Sequence, residues 1–260
     1  GDDAMINPYR QEAENALVHT DKRFRVICEK GEGVYLYDTK GKKYLDFAAG
    51  IAVCGLGYGN PELTASVKEQ TELLWHTSNL FYNPSCGTAA DALQQASGMD
   101  RVFFTNSGTE ANEGRLKAAR KYAWKKKTGR YEFIAMEGSF HGRSMGALSV
   151  TEHEAYRTPF EPLIPGVKFA KFNDLDSVKA LISDNTCAII LEPIQGAGGI
   201  NMADPEFLKG IRKLCDEEGI MLLFDEIQCG MGSTGQMFAW QCYGVKPEML
   251  ALTNGVDAGG

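Results

Sequence analysis

The 260-residue sequence has no apolar run near the ~18 residues that a bilayer-crossing helix needs, so no such helix is expected. It has no tract of lysine and arginine beyond Lys125-Lys126-Lys127, and its formal net charge is −7, so nucleic acid is not an expected partner. Those three lysines read as the solvated end of a helix. Its seven cysteines are scattered, odd in number and form no CxxC pair. That excludes zinc sites of that spacing and a disulfide framework, and it reads as reduced, mostly buried thiols in a cytoplasmic protein. The opening GDDAMINPYR lacks the basic-then-apolar order of a secretory leader. No strand runs into a GxGxxG turn, and Gly55-Leu56-Gly57 follows no strand–helix–strand start, which leaves a nicotinamide-binding fold without support. There is no internal repeat, low-complexity tract or clear linker.

What is present is a soluble balance, 43% hydrophobic and 23% charged, with enough apolar material for one large domain or one and a half ordinary ones. The first 50 residues read as a small layer of strands, with GVYLYDTKGKKYLDF predicting a hairpin that turns at Lys40-Gly41. NPELTASVKEQTELL reads as a helix with Pro61 near its first position. From about residue 88 the rhythm becomes strand–helix. RVFFTNSG, EFIAM, CAIILEPIQG and IMLLFDEIQCG read as short strands, and TEANEGRLKAARKYAWKK and DPEFLKGIRKLCDEEG as helices. Such alternation predicts an α/β fold with a mostly parallel sheet, whose ligand site lies at the carboxyl ends of the strands.

Four stretches carry chemistry at those ends. In TNSGTEANE, Ser107, Gly108 and Thr109 open a helix, where free N–H groups and the helix dipole suit a phosphate; a plain Ser/Thr cap is the alternative. In GSFHGRS, Phe140 could stack on a flat ring and Arg143 could grip a carboxylate through paired hydrogen bonds. His141 reads either as a working imidazole or as a satisfied, partly buried one. In LEPIQG, Glu192 could orient a substrate or cofactor, or pair with a structural arginine. In FDEIQCGMG, Asp225 ends an apolar strand, is partly desolvated and wants a cationic partner; a protonated pyridine nitrogen would serve.

Together these stretches, in this order and over about residues 15 to 254, resemble the class III (fold type I) aminotransferases that use pyridoxal 5′-phosphate, closest to the acetylornithine and ornithine aminotransferases. YLDFAAGIAVCGLGYGNPEL also resembles that family's N-terminal part. The resemblance implies a large cofactor-binding domain over residues 51–260, incomplete at its C-terminal end, preceded by a small-domain α+β segment over residues 5–50. It implies that Ser107, Gly108 and Thr109 hold the phosphate, that Phe140 stacks on the ring beside His141, and that Ile227 and Gln228 pack on its other face and bond its phenolic oxygen. Asp225 would hold the pyridine nitrogen, Arg143 the substrate α-carboxylate, and Glu192 the substrate end. The implied substrates are an amino acid and a 2-oxo acid, N-acetylornithine and 2-oxoglutarate in arginine biosynthesis, and the implied assembly is a homodimer. Tyr58 and Thr77-Ser78-Asn79 are candidates for substrate choice, with packing and capping as alternatives.

The pattern departs from the family at several places. The family's lysine, which binds the cofactor covalently, falls on Asn254 in PEMLALTNGVDAGG, and an amide cannot do its work. Thr253 stands for the usual alanine, Asp257 for a small residue, Ser233 for the arginine of GMGRTG, and Arg115 for a small residue on the helix after the phosphate turn. The expectation is a chain with little or no transamination that lacks the family's C-terminal small domain, the arginine that domain carries and the partner subunit's phosphate contact. The alternative is a non-catalytic scaffold that binds the cofactor without a covalent bond, or binds only a partner.

Overall fold

The computed structural model describes residues 7–253. The chain separates into two compact units, Gly1–His76 and Thr77–Gly260.

In the first unit, α1 (Pro8–Ala16) starts with Pro8 at its first position, and the Asn7 side chain accepts the Tyr9 N–H. Strands β1 (Cys28–Glu32), β2 (Tyr35–Asp38) and β3 (Lys43–Leu45) form an antiparallel sheet in that order. The hairpin joining β2 and β3 turns where the sequence predicts. Asp38 Oδ1 accepts the N–H groups of Lys40 and Lys42, and Gly41 takes the φ of +78° that the turn demands. A single left-handed turn follows, α2 (Ala49–Ala52), with φ of 46°, 64°, 63° and 63° along its four residues. Asp46 pins its start by accepting the N–H groups of Ala48 and Ala49 and the Tyr58 hydroxyl. Helix α3 (Pro61–Leu73) has Pro61 at its first position and Asn60 as its cap, as NPELTASV suggests.

The second unit holds α4 (Pro84–Ser97), α5 (Gly108–Lys125), β4 (Glu132–Met136), α6 (Met145–Ser149), α7 (Glu154–Arg157), β5 (Val167–Ala170), α8 (Leu175–Leu181) and β6 (Thr186–Leu191). It continues with β7 (Ile194–Gln195), β8 (Asn201–Met202), α9 (Pro205–Glu218), β9 (Met221–Asp225), α10 (Ala239–Tyr243) and β10 (Met249–Ala251). Five strands make a parallel sheet in the order β10-β9-β6-β4-β5, and β7 and β8 form a small antiparallel hairpin beside it. The α/β fold and the mostly parallel sheet are therefore as the sequence predicts.

Side chains alternate along each strand, and here the alternation divides the core in two. Ile134, Met136, Ile189, Leu191, Leu222 and Phe224 face one side, against Phe207, Leu208, Ile211 and Leu214 of α9 and Val178 of α8. Phe133, Ala135, Ala188, Ile190 and Leu223 face the other, against Leu116, Ala119 and Ala123 of α5. Strands buried on both faces must be apolar at every position, which is why EFIAM, AIIL and MLLF read as unbroken runs. Each fully buried Leu, Ile or Phe contributes about 1.5–3 kcal/mol of transfer free energy.

One expected strand is absent. Residues 101–107, RVFFTNS, form no ladder, and Phe103 and Phe104 are exposed. An apolar run becomes a strand only where a neighbour supplies ladder bonds, and the sheet's edges are β10 and β5. Phe103 instead lies on the bare Cα of Gly114 in α5. Helix α5 ends in the exposed lysines that the sequence places there.

Candidate active site

The site grows from the end of β9. Leu223 faces α5, so Asp225, two residues on, faces it too, and its side chain is 3% exposed. The buried stripe of α5 runs Asn112, Arg115, Leu116, Ala119, Ala123, at helical spacing. Its lower part is apolar and packs on the sheet. Its upper part is polar and meets Asp225.

Four groups converge on that carboxylate. His141 Nδ1 lies 2.7 Å from Oδ2, and the ionised acceptor fixes the imidazole proton on Nδ1. Asn112 Nδ2 donates to Oδ2 at 2.8 Å, and the Ile227 N–H donates to Oδ1 at 3.1 Å. The Arg115 guanidinium stands 3.7 Å from Oδ2 and also donates to the Phe224 carbonyl and the Asn112 side-chain oxygen. Burial works to raise the Asp225 pKa. The His141 bond and charge, the Arg115 charge and the Asn112 bond together outweigh it, so the carboxyl is held below its ordinary value. Both His141 Nε2 and Arg115 Nε are buried without a partner among the described residues.

The turn before α5 stands beside this carboxylate. Ser107 caps the helix by accepting the Glu110 N–H, and Glu110 in turn accepts the Asn106 N–H. The N–H groups of Gly108 and Thr109 have no acceptor among the described residues. A Cβ on Gly108 would come within 2.8 Å of Ile227 Cδ1 and 3.0 Å of the Thr253 methyl, so only glycine fits between them. The Thr109 hydroxyl shares a 2.7 Å hydrogen bond with Ser144, whose own proton goes to Glu113. Thr109 therefore offers the site its N–H and not its hydroxyl.

GSFHGRS leaves β4 and wraps the other side. The half-buried Phe140 donates its N–H to Glu192 Oε1 at 2.9 Å, and its ring stands edge-on to Tyr156. Tyr156 stacks on His153 and carries the guanidinium of exposed Arg143 4.2 Å above its ring. Glu192 has no arginine partner among the described residues; its acceptors are filled by the N–H groups of Phe140 and Gly196. Burial and the charge of Asp225 push it up to about 8, so it is neutral at pH 7. Gln228 packs its amide oxygen against the Cα of Gly196, joining the LEPIQG and FDEIQCG stretches. Glu226 points to the opposite face. It accepts the N–H groups of Ala239 and Trp240, the first turn of α10, and burial lifts its pKa to about 7.

Ser107, Gly108, Thr109, Phe140, His141, Glu192, Asp225 and Ile227 are thus linked by the contacts of one corner, while Arg143 lies outward on Tyr156. Asn254 lies outside the described residues, as does Asp257; Thr253, just before, packs against Gly108. Tyr58 is spent on Asp46 in the first unit, and the Ser78 hydroxyl accepts the Leu80 N–H. Sequence reasoning missed Asn112 and Glu226. Two polar residues, Asn112 and Arg115, at the head of the apolar stripe of α5 were the available signal for Asn112. All seven cysteines are free thiols, and no group of three His, Cys, Asp or Glu among the described residues could hold a metal. No helix among them is long and apolar enough to cross a membrane.

Comparison with known proteins gives a consistent picture. The sequence pattern of the aminotransferase class-III family matches residues 17–260. Acetylornithine aminotransferase of Methanocaldococcus jannaschii is 48% identical over 239 residues, 91% of this chain and 60% of that protein. The enzyme of the same name from Clostridium acetobutylicum is 47% identical over 248 residues, 95% of this chain and 64% of that protein. The crystal structure of ornithine aminotransferase from Toxoplasma gondii, described with partial occupancy of PLP at its active site, superposes with a TM-score of 0.93. It is 31% identical, over 96% of this chain and 60% of that one. N-acetylornithine aminotransferase from Stenotrophomonas maltophilia gives a TM-score of 0.80 at 37% identity, over 94% and 60%. The chain spans about 60% of the length of the relatives it matches.

Proposed function

Because the chain belongs to the class-III aminotransferases, fold type I enzymes that use pyridoxal 5′-phosphate, we propose that the corner around Asp225 holds that cofactor and that the chain derives from an acetylornithine aminotransferase. The observation that carries this reading is the buried Asp225–His141–Asn112 cluster set at a strand's carboxyl end beside the open N-terminus of α5. In this reading, residues 51–260 are the cofactor-binding domain and 5–50 the start of the small domain.

The residues present fit a phosphorylated pyridine. The N–H groups of Gly108 and Thr109 are open to an anion, and the missing Cβ of Gly108 leaves the backbone approachable. Asp225 Oδ1 carries one hydrogen bond and keeps capacity for another. We assign the phosphate to Ser107, Gly108 and Thr109, the ring faces to Phe140 and Ile227, the phenolic oxygen to Gln228 and the ring nitrogen to Asp225, with His141 orienting that carboxylate. Bound there, the cofactor would carry the amino group and take up the electron pair left on the substrate's α-carbon. The chain's own part is binding and electrostatics. Arg143 offers a bidentate grip for a substrate carboxylate. Glu192, neutral at pH 7, adds no negative charge against it. The amino donor in this reading is N-acetylornithine and the acceptor 2-oxoglutarate, a cytoplasmic reaction of arginine biosynthesis. The 43–49% identity to acetylornithine aminotransferases supports it. The run of exposed Leu80, Phe81 and Tyr82 supports a homodimer.

Asn254 stands where the family's lysine is expected and has no amine, so the chain as it stands would transaminate little or not at all. A scaffold that binds the cofactor without a covalent bond is the second reading, and the same residue favours it. The test is to mix the chain with pyridoxal 5′-phosphate, record absorption before and after borohydride, and assay amino transfer from N-acetylornithine. Cofactor that binds but washes away after borohydride, with no turnover, is the expected result. Covalent fixation with turnover would show that another lysine does the work, and absence of any binding would overturn the cofactor reading.

A further inference from the structure

Arg115 is a buried cation, 6% exposed, in the polar part of the α5 stripe, one turn after Asn112. Nothing in the assigned cofactor contacts requires it. Burial lowers its pKa to about 10, with the charge of Asp225 opposing that, so it stays charged at neutral pH. A buried carboxylate needs compensating positive charge to remain ionised. Asp225 already has it within the chain, from a guanidinium 3.7 Å from Oδ2. The capacity of Oδ2 is further spent on His141 and Asn112. A ring nitrogen reaching Oδ1 as a protonated pyridinium would bring a second positive charge to a carboxylate that is already balanced, close to Arg115.

We propose that Arg115 is a positioning residue that serves as the resident counter-cation of Asp225, so that this site does not demand a protonated ring nitrogen from its cofactor. The inference rests on the cofactor reading above. It makes the site selective for the phosphate and the flat ring and nearly indifferent to the nitrogen. The Arg115 guanidinium donates to the Phe224 carbonyl and the Asn112 side-chain oxygen, which holds its charge beside Asp225, while its Nε is buried without a partner among the described residues.

The test compares two non-covalent probes, pyridoxamine 5′-phosphate and its 1-deaza analogue, in which C–H replaces the ring nitrogen. Titration calorimetry on the unaltered chain at pH 7 gives the two Kd values without any substitution. The expected result is a ratio within about threefold, against the tenfold or more that one well-made charged contact gives. Arg115→Met, similar in length and uncharged, should raise the preference for the nitrogen ring to tenfold or more, and Arg115→Lys should keep it low. A role in packing alone would weaken both probes equally and leave the ratio unmoved. A ratio above tenfold in the unaltered chain overturns the proposal, as does an unchanged ratio in a folded Arg115→Met chain. Binding of neither probe overturns the cofactor reading itself, which is a distinguishable failure.

Discussion

His141 Nδ1 lies 2.7 Å from Asp225 Oδ2, which joins an imidazole from the turn after β4 and a carboxylate from the end of β9 into one buried charged unit. Removing the imidazole leaves the carboxylate short of a donor in a dry environment. His141→Ala should destabilise the fold by about 2–4 kcal/mol in urea unfolding, since a hydrogen bond to a buried charge is lost together with packing. A loss under about 0.5 kcal/mol would show that Asn112 and Arg115 alone suffice.

Gly108 is fixed by its neighbours and not by its backbone angle. Gly108→Ala should cost about 1–2 kcal/mol, because the new methyl meets Ile227 Cδ1 at 2.8 Å and the Thr253 methyl at 3.0 Å. Ile227→Val removes the first of these atoms. The double variant should recover about half of the loss in a double-mutant cycle, and strict additivity would refute the contact as the cause.

Glu192 gives the protein a downward slope of stability with rising pH. Its folded pKa, pushed up to about 8 by burial and Asp225, exceeds the ordinary 4.5, so the folded state holds the proton more tightly. That contribution is complete below the unfolded value and is lost as pH rises through 8. Asp225 acts oppositely: its depressed pKa stabilises above 3.8 and the effect fades in acid. Glu226, lifted to about 7, adds to the downward slope only at lower pH. Glu192→Gln should therefore flatten the melting-temperature profile between pH 7 and 9, whatever its offset at pH 6. A profile that keeps its slope there would assign the slope elsewhere.

Glu226 holds the first turn of α10 from a distance, at 2.6 Å to the Ala239 N–H and 2.7 Å to the Trp240 N–H. Glu226→Ala strands both donors. Amide exchange at residues 239 and 240 should accelerate by about tenfold or more while β6 amides keep their protection. Equal acceleration in β6 would mean global rather than local opening.

Much of this architecture was legible in the sequence because the central strands are buried on both faces and the helices carry strong caps. EFIAM became β4 residue for residue, and Gly219 closes α9 in the left-handed conformation that DPEFLKGIRKLCDEEG suggests. RVFFTNS failed because apolarity alone does not provide a ladder partner. Short β5 and β10 were passed over, being three or four residues whose strand character comes from their neighbours in the sheet. In the site, residues at strand ends and helix starts could be read from motifs. Asn112 had only its place in the α5 stripe to mark it, and its role depends on the turn after β4 and the end of β9 both reaching its side-chain amide. The same is true of the Tyr156 ring beneath Arg143, which no local pattern announces.

The two-sidedness of β9 makes chain length itself a chemical variable. Leu222 and Phe224 face α9, whereas Leu223 and Asp225 face α5. Losing or gaining a single residue inside this strand would turn the carboxylate toward Phe207 and Ile211, far from His141, while restoring an apolar residue to the place it left. Only changes by two preserve both the packing and the charge. Substitutions can therefore tune this site gradually, but insertions and deletions there act as an on–off parity, which the same alternation that builds the core imposes on the segment.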